Sequence, residues 1–428
     1  MAKVPQSADN LYVGPLRIHP SLEISETYDD NVFYGDSSVI RDQQDFYETY
    51  KPEIALELPL NDHSLTFDYG FDILEYHHHY KTDATEQDRV NRHWGGSANF
   101  NFENDFSILF SDRVNTIRVP GRFTRRTNPT VFDPVVPDSV EGEAEVLEQF
   151  GLNTFTSPRQ FTNNVASIKT NLPDFFDKLD FILEYSNTDI SYKQRSFGAT
   201  TDRNENSYKG MIKIKPLPKT EITTGIEFYD IRYDKSSGQN SAYRKIPFNI
   251  SWVASAKSYF FLNTSYNRRD YSGGSIFANF TGYDATLGYR FDVTERDNLL
   301  IKIEKSLVEQ QFLLDPNNTA GGDNNPQDWS QINMKYTHEF PKRFSVILSP
   351  AIQHRRFRER QSLPNKSGGV VSKHQDITTL RMEVSGRYTS LNEWLFGEIT
   401  YRYIDMRSNV HGGDNIRNEA IISMRISF

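Results

Sequence analysis

Along much of the chain, apolar residues alternate with polar, small or charged residues, so that charged side chains recur on one face. Glu53 and Glu57 alternate with apolar neighbours, as do Asp68 and Asp72 in the next such segment. Because a strand projects successive side chains to opposite faces, each segment has one charged face and one apolar face. Such a charged face can solvate ions and bind hydrophilic solutes, whereas covalent catalysis needs a nucleophile beside a base. The candidates for this water-facing wall are Glu53, Glu57, Asp68, Asp72, Lys209, Lys213, Lys215, Arg381, Arg387, Arg402 and Arg425.

Lys209, Lys213 and Lys215 form the clearest single-sign series in this set. A row of ammonium groups suits the attraction of anionic solutes or acidic sugars. The alternative is that the lysines pair with nearby carboxylates such as Glu184 and Glu221, and we favour this interpretation. The other charges are interleaved in sign, so the wall alone predicts no strong ion selectivity.

A long polar stretch, residues 115–160, separates two of the predicted strands. Connections beyond about 15 residues are usually functional or disordered. The stretch is basic at its start and acidic toward its end, where apolar residues recur at helical spacing. We hypothesise that it folds inward or caps the mouth of a pore; an external lid or a partner-binding loop is the alternative. The charged candidates for this constriction are Arg118, Arg122, Arg125, Arg126, Glu141 and Glu145.

The motifs predict no catalytic, cofactor or metal site. Cys is absent, and the sequence has no serine elbow, phosphate-binding glycine loop or zinc-type His/Glu motif. His77, His78 and His79 would alternate between the two faces of a strand, so at most two of them converge. The oxygen-rich segment 315–328 lacks the regular spacing of a calcium loop.

Strands are the elements that must position the charged wall. Apolar residues make up only 37% of the chain and the mean hydropathy is −0.64, although aromatic residues reach 13%. No apolar run approaches the ~18 residues that a membrane helix needs, whereas a barrel strand needs apolar residues only at alternate positions. The alternation marks about 18 strands, joined alternately by short turns and long polar loops, as in bacterial outer-membrane barrels.

The predicted fold is therefore all-β: a single transmembrane antiparallel up-and-down β-barrel with short periplasmic turns and long extracellular loops. Residues 1–15 form a periplasmic N-terminal segment and residues 16–428 form the barrel. Many aromatic residues near strand ends are interpreted as membrane-interface residues. This interface set is Tyr28, Phe33, Tyr34, Phe46, Tyr76, Tyr80, Tyr185, Tyr192, Tyr229, Tyr233, Tyr266, Tyr271, Tyr401 and Tyr403.

The last residues of the chain show the alternation clearly. Ile422, Met424 and Ile426 share a face with the terminal Phe428, while Arg425 lies on the opposite face between serines. A final strand that ends on an aromatic residue is typical of bacterial outer-membrane barrels. Phe428 is thus the expected signal for a barrel assembly machinery.

The segment 16–33, with Pro-Ser-Leu-Glu followed by Tyr28-Asp-Asp-Asn-Val-Phe33, resembles the opening strand and loop of the type 2 family of β-barrel porins. The resemblance covers about these 18 positions. It implies an outer-membrane channel, often associated with exopolysaccharide gene clusters, and hence periplasmic polysaccharide-export partners. Asp29, Asp30 and Asn31 are read as a turn, in preference to a divalent-cation site.

We predict a porin-like outer-membrane channel for hydrophilic solutes, and the family resemblance implies a part in exopolysaccharide export. The alternatives are an occluded structural or partner-anchoring barrel and an outer-membrane hydrolase. Outer-membrane lipid and lipopolysaccharide are expected partners; the net charge of −9 argues against nucleic acid. The N-terminus lacks the apolar core of a secretory signal, so we expect that a signal peptide has been removed.

Overall fold

We describe the protein from a computed structural model. The described residues are 11–30, 44–77, 81–82, 85–86, 89–119, 159–173, 178–193, 202–234, 240–272, 279–308, 327–357, 361–364, 370–374, 376–390, 394–409 and 415–427.

Eighteen long strands in the described residues form one sheet. They are β1 (Leu16–Asp29), β2 (Asp45–Leu60), β3 (His63–Tyr76), β4 (Arg89–Asn101), β5 (Ser107–Val119), β6 (Arg159–Leu172), β7 (Leu179–Tyr192), β8 (Arg203–Leu217), β9 (Thr220–Tyr233), β10 (Ser241–Ser255), β11 (Ser258–Tyr271), β12 (Phe280–Asp292), β13 (Asp297–Val308), β14 (Gln327–Phe340), β15 (Phe344–Leu348 and Ala351–Phe357), β16 (Asp376–Thr389), β17 (Leu395–Ser408) and β18 (Asn415–Ser427).

Each strand pairs antiparallel with the next, and β1 also pairs with β18, so the sheet closes on itself. The closing register runs from Ser21 opposite Ser427 to Asp29 opposite Glu419. The described strands therefore make a closed antiparallel barrel of 18 strands, which confirms the predicted fold class and strand number. Within the described residues, the helical element is the 3₁₀ turn Glu103–Asp105, and no helix there has the length and apolarity to cross a membrane.

Short turns and longer connections alternate around the barrel, as predicted. Two residues separate β2 from β3, whereas 39 separate β5 from β6. In the β2–β3 turn, Asn61 has a φ of 55°, which Asn tolerates because its side chain bonds the local backbone. The sequence prediction missed one connection, between Tyr271 and Phe280, because that segment is short and only weakly polar.

Strand β15 is interrupted between Leu348 and Ala351. Pro350 lies in the gap and has no backbone N–H to donate to the ladder. Its carbonyl still accepts a hydrogen bond from the Met334 N–H at 3.0 Å. The register on both sides of the gap is the same, so the alternation of faces continues unbroken.

A short strand, Leu11–Val13, folds back onto the first residues of β1. Leu11 lies opposite Ile18 and Val13 opposite Leu16, on the edge of β1 that β18 does not cover. Gly14 has a φ of 63° in the connecting turn, a conformation that glycine adopts without steric cost. Two further short hairpins pair Lys81–Thr82 with Thr85–Glu86 and Gln361–Pro364 with Val370–Lys373.

The barrel is apolar outside and polar inside. Ile226 and Ile399 are 55% and 64% exposed on the outer face, whereas the next residues, Glu227 and Thr400, are 8% and 7% exposed on the inner face. An apolar outer face this large needs an apolar surrounding. The inner face instead collects the charged and polar side chains.

The assignment of interface aromatics is wrong for five tyrosines. Their positions alternate with outward residues, so they point into the barrel; Tyr192 is 6% exposed and Tyr229 donates a hydrogen bond to the inward Glu227 at 2.8 Å. Strand ends are aromatic-rich on both faces here, and composition alone does not separate the faces. The inward tyrosines are Tyr76, Tyr192, Tyr229, Tyr233 and Tyr271. Phe33, Tyr34 and Tyr80 lie outside the described residues.

Candidate functional site

The structure places the predicted wall residues on the inward face. They are distributed over β2 (Glu53, Glu57), β3 (Asp68, Asp72), β8 (Lys209, Lys213, Lys215), β16 (Arg381, Arg387), β17 (Arg402) and β18 (Arg425). These six strands lie on separate parts of the barrel wall, so no single cleft gathers the predicted residues.

Each lysine of the series on β8 has a carboxylate partner on a neighbouring strand. The nitrogen–oxygen distances are 3.6 Å from Lys209 to Glu184, 2.7 Å from Lys213 to Glu221 and 2.9 Å from Lys215 to Asp180. The structure therefore favours pairing over a free cationic ladder. These side chains are partly exposed, so each pair contributes little to stability, but the pairing cancels the local field of the lysines.

A row of alternating charge crosses five adjacent strands at one level of the inner wall. Lys169, Glu184, Lys209, Glu227 and Lys245 stand directly opposite one another on β6 to β10. Opposite charges in cross-strand positions attract. On these five strands, the wall at this level carries a charge on every strand, and the positive and negative charges nearly cancel.

Lys169 and Lys245 escape the sequence prediction. The outward positions of β6 include Thr162, Asn164 and Thr170, which weaken the apolar alternation there. The cross-strand register, which sequence does not display, is the signal that places both lysines in the row.

A second ionic network lies on the other side of the barrel, over β16 to β18. Arg381 reaches Glu383 at 3.0 Å, and Arg402 donates to Glu383 at 2.9 Å and to Glu419 at 2.8 Å. Each carboxylate thus lies between guanidinium groups. Bonds between ionised partners are about twice as strong as neutral ones.

This network continues across the seam that closes the barrel. Arg417 of β18 contacts Glu419 and donates to both carboxylate oxygens of Asp29 on β1, with Nη2 at 2.8 Å from Oδ2 and Nε at 3.1 Å from each oxygen. Asp29, Arg417 and Glu419 are 1%, 4% and 3% exposed. The buried charges are therefore paired, as burial requires.

Asp30 adds a second link at the seam. Its carboxylate accepts hydrogen bonds from the backbone N–H and the side-chain amide of Asn418, both at 2.6 Å, and its own N–H donates to the Asn418 carbonyl at 3.1 Å. Within residues 16–33, which carry the family resemblance, the Tyr28-Asp29-Asp30 run therefore contacts β18. Among the described residues, no group of three or more His, Cys, Asp or Glu side chains could hold a metal ion.

The inner wall is more accessible near the turns than near the loops. Toward the turns, the side chains of Arg17, Arg290 and Arg387 are 42%, 57% and 41% exposed. Toward the loops, those of Arg203 and Arg417 are 8% and 5% exposed.

The most buried part of the loop end lies on β14 to β16. Arg355 and Ile377 are each 1% exposed and Trp329 is 7% exposed, although all three point inward. The Arg355 guanidinium donates to the Gln353 side-chain oxygen at 3.0 and 2.7 Å. Little water reaches the lumen wall at this point.

Near the turn end, an inward aromatic ring packs over a glycine of the neighbouring strand. A Cβ added to Gly288 would lie 1.9 Å from the Phe261 ring, so the glycine provides the space that the ring occupies. Tyr259 is next to it, with ring centroids 5.8 Å apart. These rings do not stand out in the sequence, because the sequence does not show which residue lies opposite Gly288 on the neighbouring strand.

Several candidates fall outside the part that the structure describes. The backbone of Arg118 lies in β5, and its side chain is not described. The remaining candidates lie outside the described residues. They are Arg122, Arg125, Arg126, Glu141, Glu145 and Phe428.

The hydrolase alternative finds no assembled triad at His354. His354 lies between Ser330 and Thr378 on the outward face, and its Nδ1 is 3.1 Å from the Thr378 hydroxyl. The described hydrogen bonds do not join His354 to Ser330. The Thr378 hydroxyl is therefore within hydrogen-bond distance, but the described contacts give His354 no orienting acid, and a triad needs both.

No protein-family model and no curated protein matches the chain. Solved structures do match. OccAB2 of Acinetobacter baumannii has a TM-score of 0.52 and 10% identity, over 96% of this chain and 98% of that one. The outer membrane protein OpdK from Pseudomonas aeruginosa has a TM-score of 0.51 and 9% identity, over 96% and 99%. At such identities the likeness shows the fold: the chain has the barrel fold of these bacterial proteins.

Proposed function

We propose that the protein is a porin-like channel of the bacterial outer membrane that passes small hydrophilic solutes with weak preference for the sign of their charge. The observation that carries the proposal is the inner wall, where charges of both signs alternate across neighbouring strands. Eighteen strands enclose a lumen in the size range of aqueous channels. A hydrated solute meets hydrogen-bonding groups there, and the electrostatic potential of the wall is neither strongly positive nor strongly negative.

The outer face supports a membrane location. Trp252, Phe260, Tyr289 and Phe291 stack in series at the turn end, with the Phe260 and Tyr289 ring centroids 4.4 Å apart. Aromatic girdles of this kind lie at the interface between lipid and water. With the turns on the periplasmic side, these aromatic residues would mark the periplasmic boundary of the apolar band.

The low exposure of inward residues near the loops supports a constriction toward the extracellular mouth. Residues near the turns would form a wider vestibule. This observation also favours the second candidate function, a barrel with an occluded lumen that acts as a structural or partner-anchoring protein.

Polysaccharide export is a finer hypothesis within the same proposal. Its support is the resemblance of residues 16–33, and periplasmic export partners would follow from it. The test is to add acidic and neutral oligosaccharides to open channels. Interruption of the ion current by long oligosaccharides would support export, whereas currents that ignore both would leave a channel for small solutes.

Conductance in planar bilayers tests the main proposal. The purified barrel should give discrete conductance steps, and a salt gradient should give a reversal potential close to zero because the wall charges cancel. An absence of steps under every voltage and salt tested would refute the channel and favour the occluded barrel.

Two substitutions at the wall sharpen this test. The double variant Glu184→Gln and Glu221→Gln removes the carboxylates beside Lys209 and Lys213, so the reversal potential should move toward that of chloride. The double variant Glu48→Gln and Glu75→Gln is the matched control, because it also removes two carboxylates and both lie on the outward face. An equal shift in both variants would contradict control of permeation by the inner wall.

A further inference from the structure

The outer face carries opposite charges on two sides of the barrel near the loop ends. On β1 to β3, Glu26, Glu48 and Glu75 stand directly opposite one another. On β10 and β11, the corresponding outward positions include two arginines, Arg244 and Arg268. The wall function does not use any of these residues, because they point away from the lumen.

Arg244 and Arg268 are direct cross-strand partners. Two residues closer to the turns, Ile246 lies opposite Tyr266 on the same outward face, and Ile246 is 50% exposed. Phe228 flanks Arg244 on the other side, on β9. The two guanidinium groups therefore lie at the upper border of the apolar band.

The charge of this pair is only partly balanced by the protein. Arg268 donates to Asp270 at 2.9 Å, on the solvent side of the pair. Arg244 has no ion-pair partner among the described residues. Like charges directly opposite each other in an antiparallel sheet are destabilising, so an external anion between them would relieve the repulsion.

We propose that Arg244 and Arg268 bind a phosphate group of an anionic lipid in the outer leaflet. Arginine presents a planar fork of donors that matches phosphate oxygens. The apolar and aromatic residues just below contact acyl chains, which places the lipid's phosphate at the level of the arginines. An apolar surface directly beside the two arginines favours a lipid headgroup over free phosphate, because free phosphate has no acyl chains to contact that surface.

The opposite side of the barrel gives an internal contrast. The glutamate row on β1 to β3 repels phosphate at the same border, except where His77 lies 3.4 Å from Glu48. We therefore expect a phosphorylated lipid to bind on β9 to β12 and not on β1 to β3. The barrel would be oriented and ordered by lipid on one side only.

Native mass spectrometry of the purified full chain in detergent tests this proposal. The probe is lipid A that carries two phosphates, compared with the same lipid after enzymatic removal of both. The double variant Arg244→Gln and Arg268→Gln should weaken binding of the phosphorylated lipid by about tenfold or more, as expected for loss of charge-assisted hydrogen bonds. The dephosphorylated lipid should bind the wild-type and variant proteins alike.

The matched control is the double variant Arg356→Gln and Arg407→Gln. These arginines also point outward near the loop ends, but each lies beside an acid: Arg356 is 3.8 Å from Asp376 and Arg407 is 2.6 Å from Asp405. This control changes the net charge equally and should leave lipid binding within about twofold of wild type.

Three results would overturn the proposal: equal weakening in both double variants, equal affinity for both lipids, or unchanged binding in the Arg244 and Arg268 variant. Retention of the folded, heat-sensitive gel mobility shows that the barrel is intact. Conductance should be unchanged in this variant, so failure of lipid binding is distinguishable from failure of the channel.

Discussion

The buried ion pair at the seam offers a sharp test of what holds the barrel closed. Asp29 and Arg417 are separated by 388 residues in sequence, and they join β1 to β18 with less than a twentieth of either residue exposed. Removing one member of a buried pair leaves the other charged and without its partner. Such losses typically cost 3–5 kcal/mol, and because Arg417 also contacts Glu419, we expect about 3 kcal/mol for Asp29→Ala.

The measurement is a double-mutant cycle of Asp29→Ala, Arg417→Ala and the combination. Unfolding by urea from detergent micelles or liposomes is followed by tryptophan fluorescence and by gel mobility. With a denaturant slope of about 3 kcal/mol per molar, Asp29→Ala should lower the urea midpoint by about 1 M. The two losses should not add, and a coupling of about 2 kcal/mol is expected for residues in direct contact.

Asp405→Ala is the control, since it breaks the outward pair with Arg407, whose side chain is 60% exposed. Exposed pairs contribute at most about 1 kcal/mol. Additive losses in the cycle, or a midpoint shift for Asp29→Ala no larger than that for Asp405→Ala, would refute the view that this pair holds the seam. Hydrogen exchange should also show β1 and β18 opening first in the Asp29→Ala variant.

Two further outcomes follow from the inner wall. Gly288→Ala should destabilise the barrel by about 1–3 kcal/mol, because the new methyl group displaces the Phe261 ring. Adding Phe261→Ala should restore most of the lost stability in the same urea assay. If stability is not restored, the methyl group does not clash with this ring. The difference in reversal potential between wild type and the Glu184→Gln and Glu221→Gln variant should shrink as salt rises toward 1 M, where the screening length falls to about 3 Å, and a difference that persists at high salt would contradict an electrostatic origin.

The strands and their faces could be predicted from the sequence because both depend on local alternation. The inward Arg425 and the outward Ile422 are three residues apart, an odd separation that puts them on opposite faces of the strand. The pairing of Asp29 with Arg417 could not be predicted in this way. Alternation fixes the face of each residue but not how far one strand is shifted along the next, and that shift decides which charges meet.

The same limit explains the errors at the strand ends. Tyr192 and Tyr185 are both aromatic residues of β7, yet seven positions apart they point to opposite faces. Their residue type alone placed both at the membrane interface. Successive residues of a strand alternate between the two faces, so the odd separation puts these tyrosines on opposite faces. The charge balance of the wall also depends on register, since Lys209 meets Glu184 and Glu227 only through the neighbouring strands.

The short strand Leu11–Val13 has a consequence for the order in which the barrel forms. It and the start of β1 make a hairpin from neighbouring residues, and hairpins form in about 1–10 μs, long before a contact that spans the whole chain. We therefore expect the hairpin to cover residues 16–18 of this edge of β1 before β18 pairs with it. Only the part of the edge from Ser21 to Asp29 would then remain open, and the hairpin would limit the register in which β18 closes the barrel.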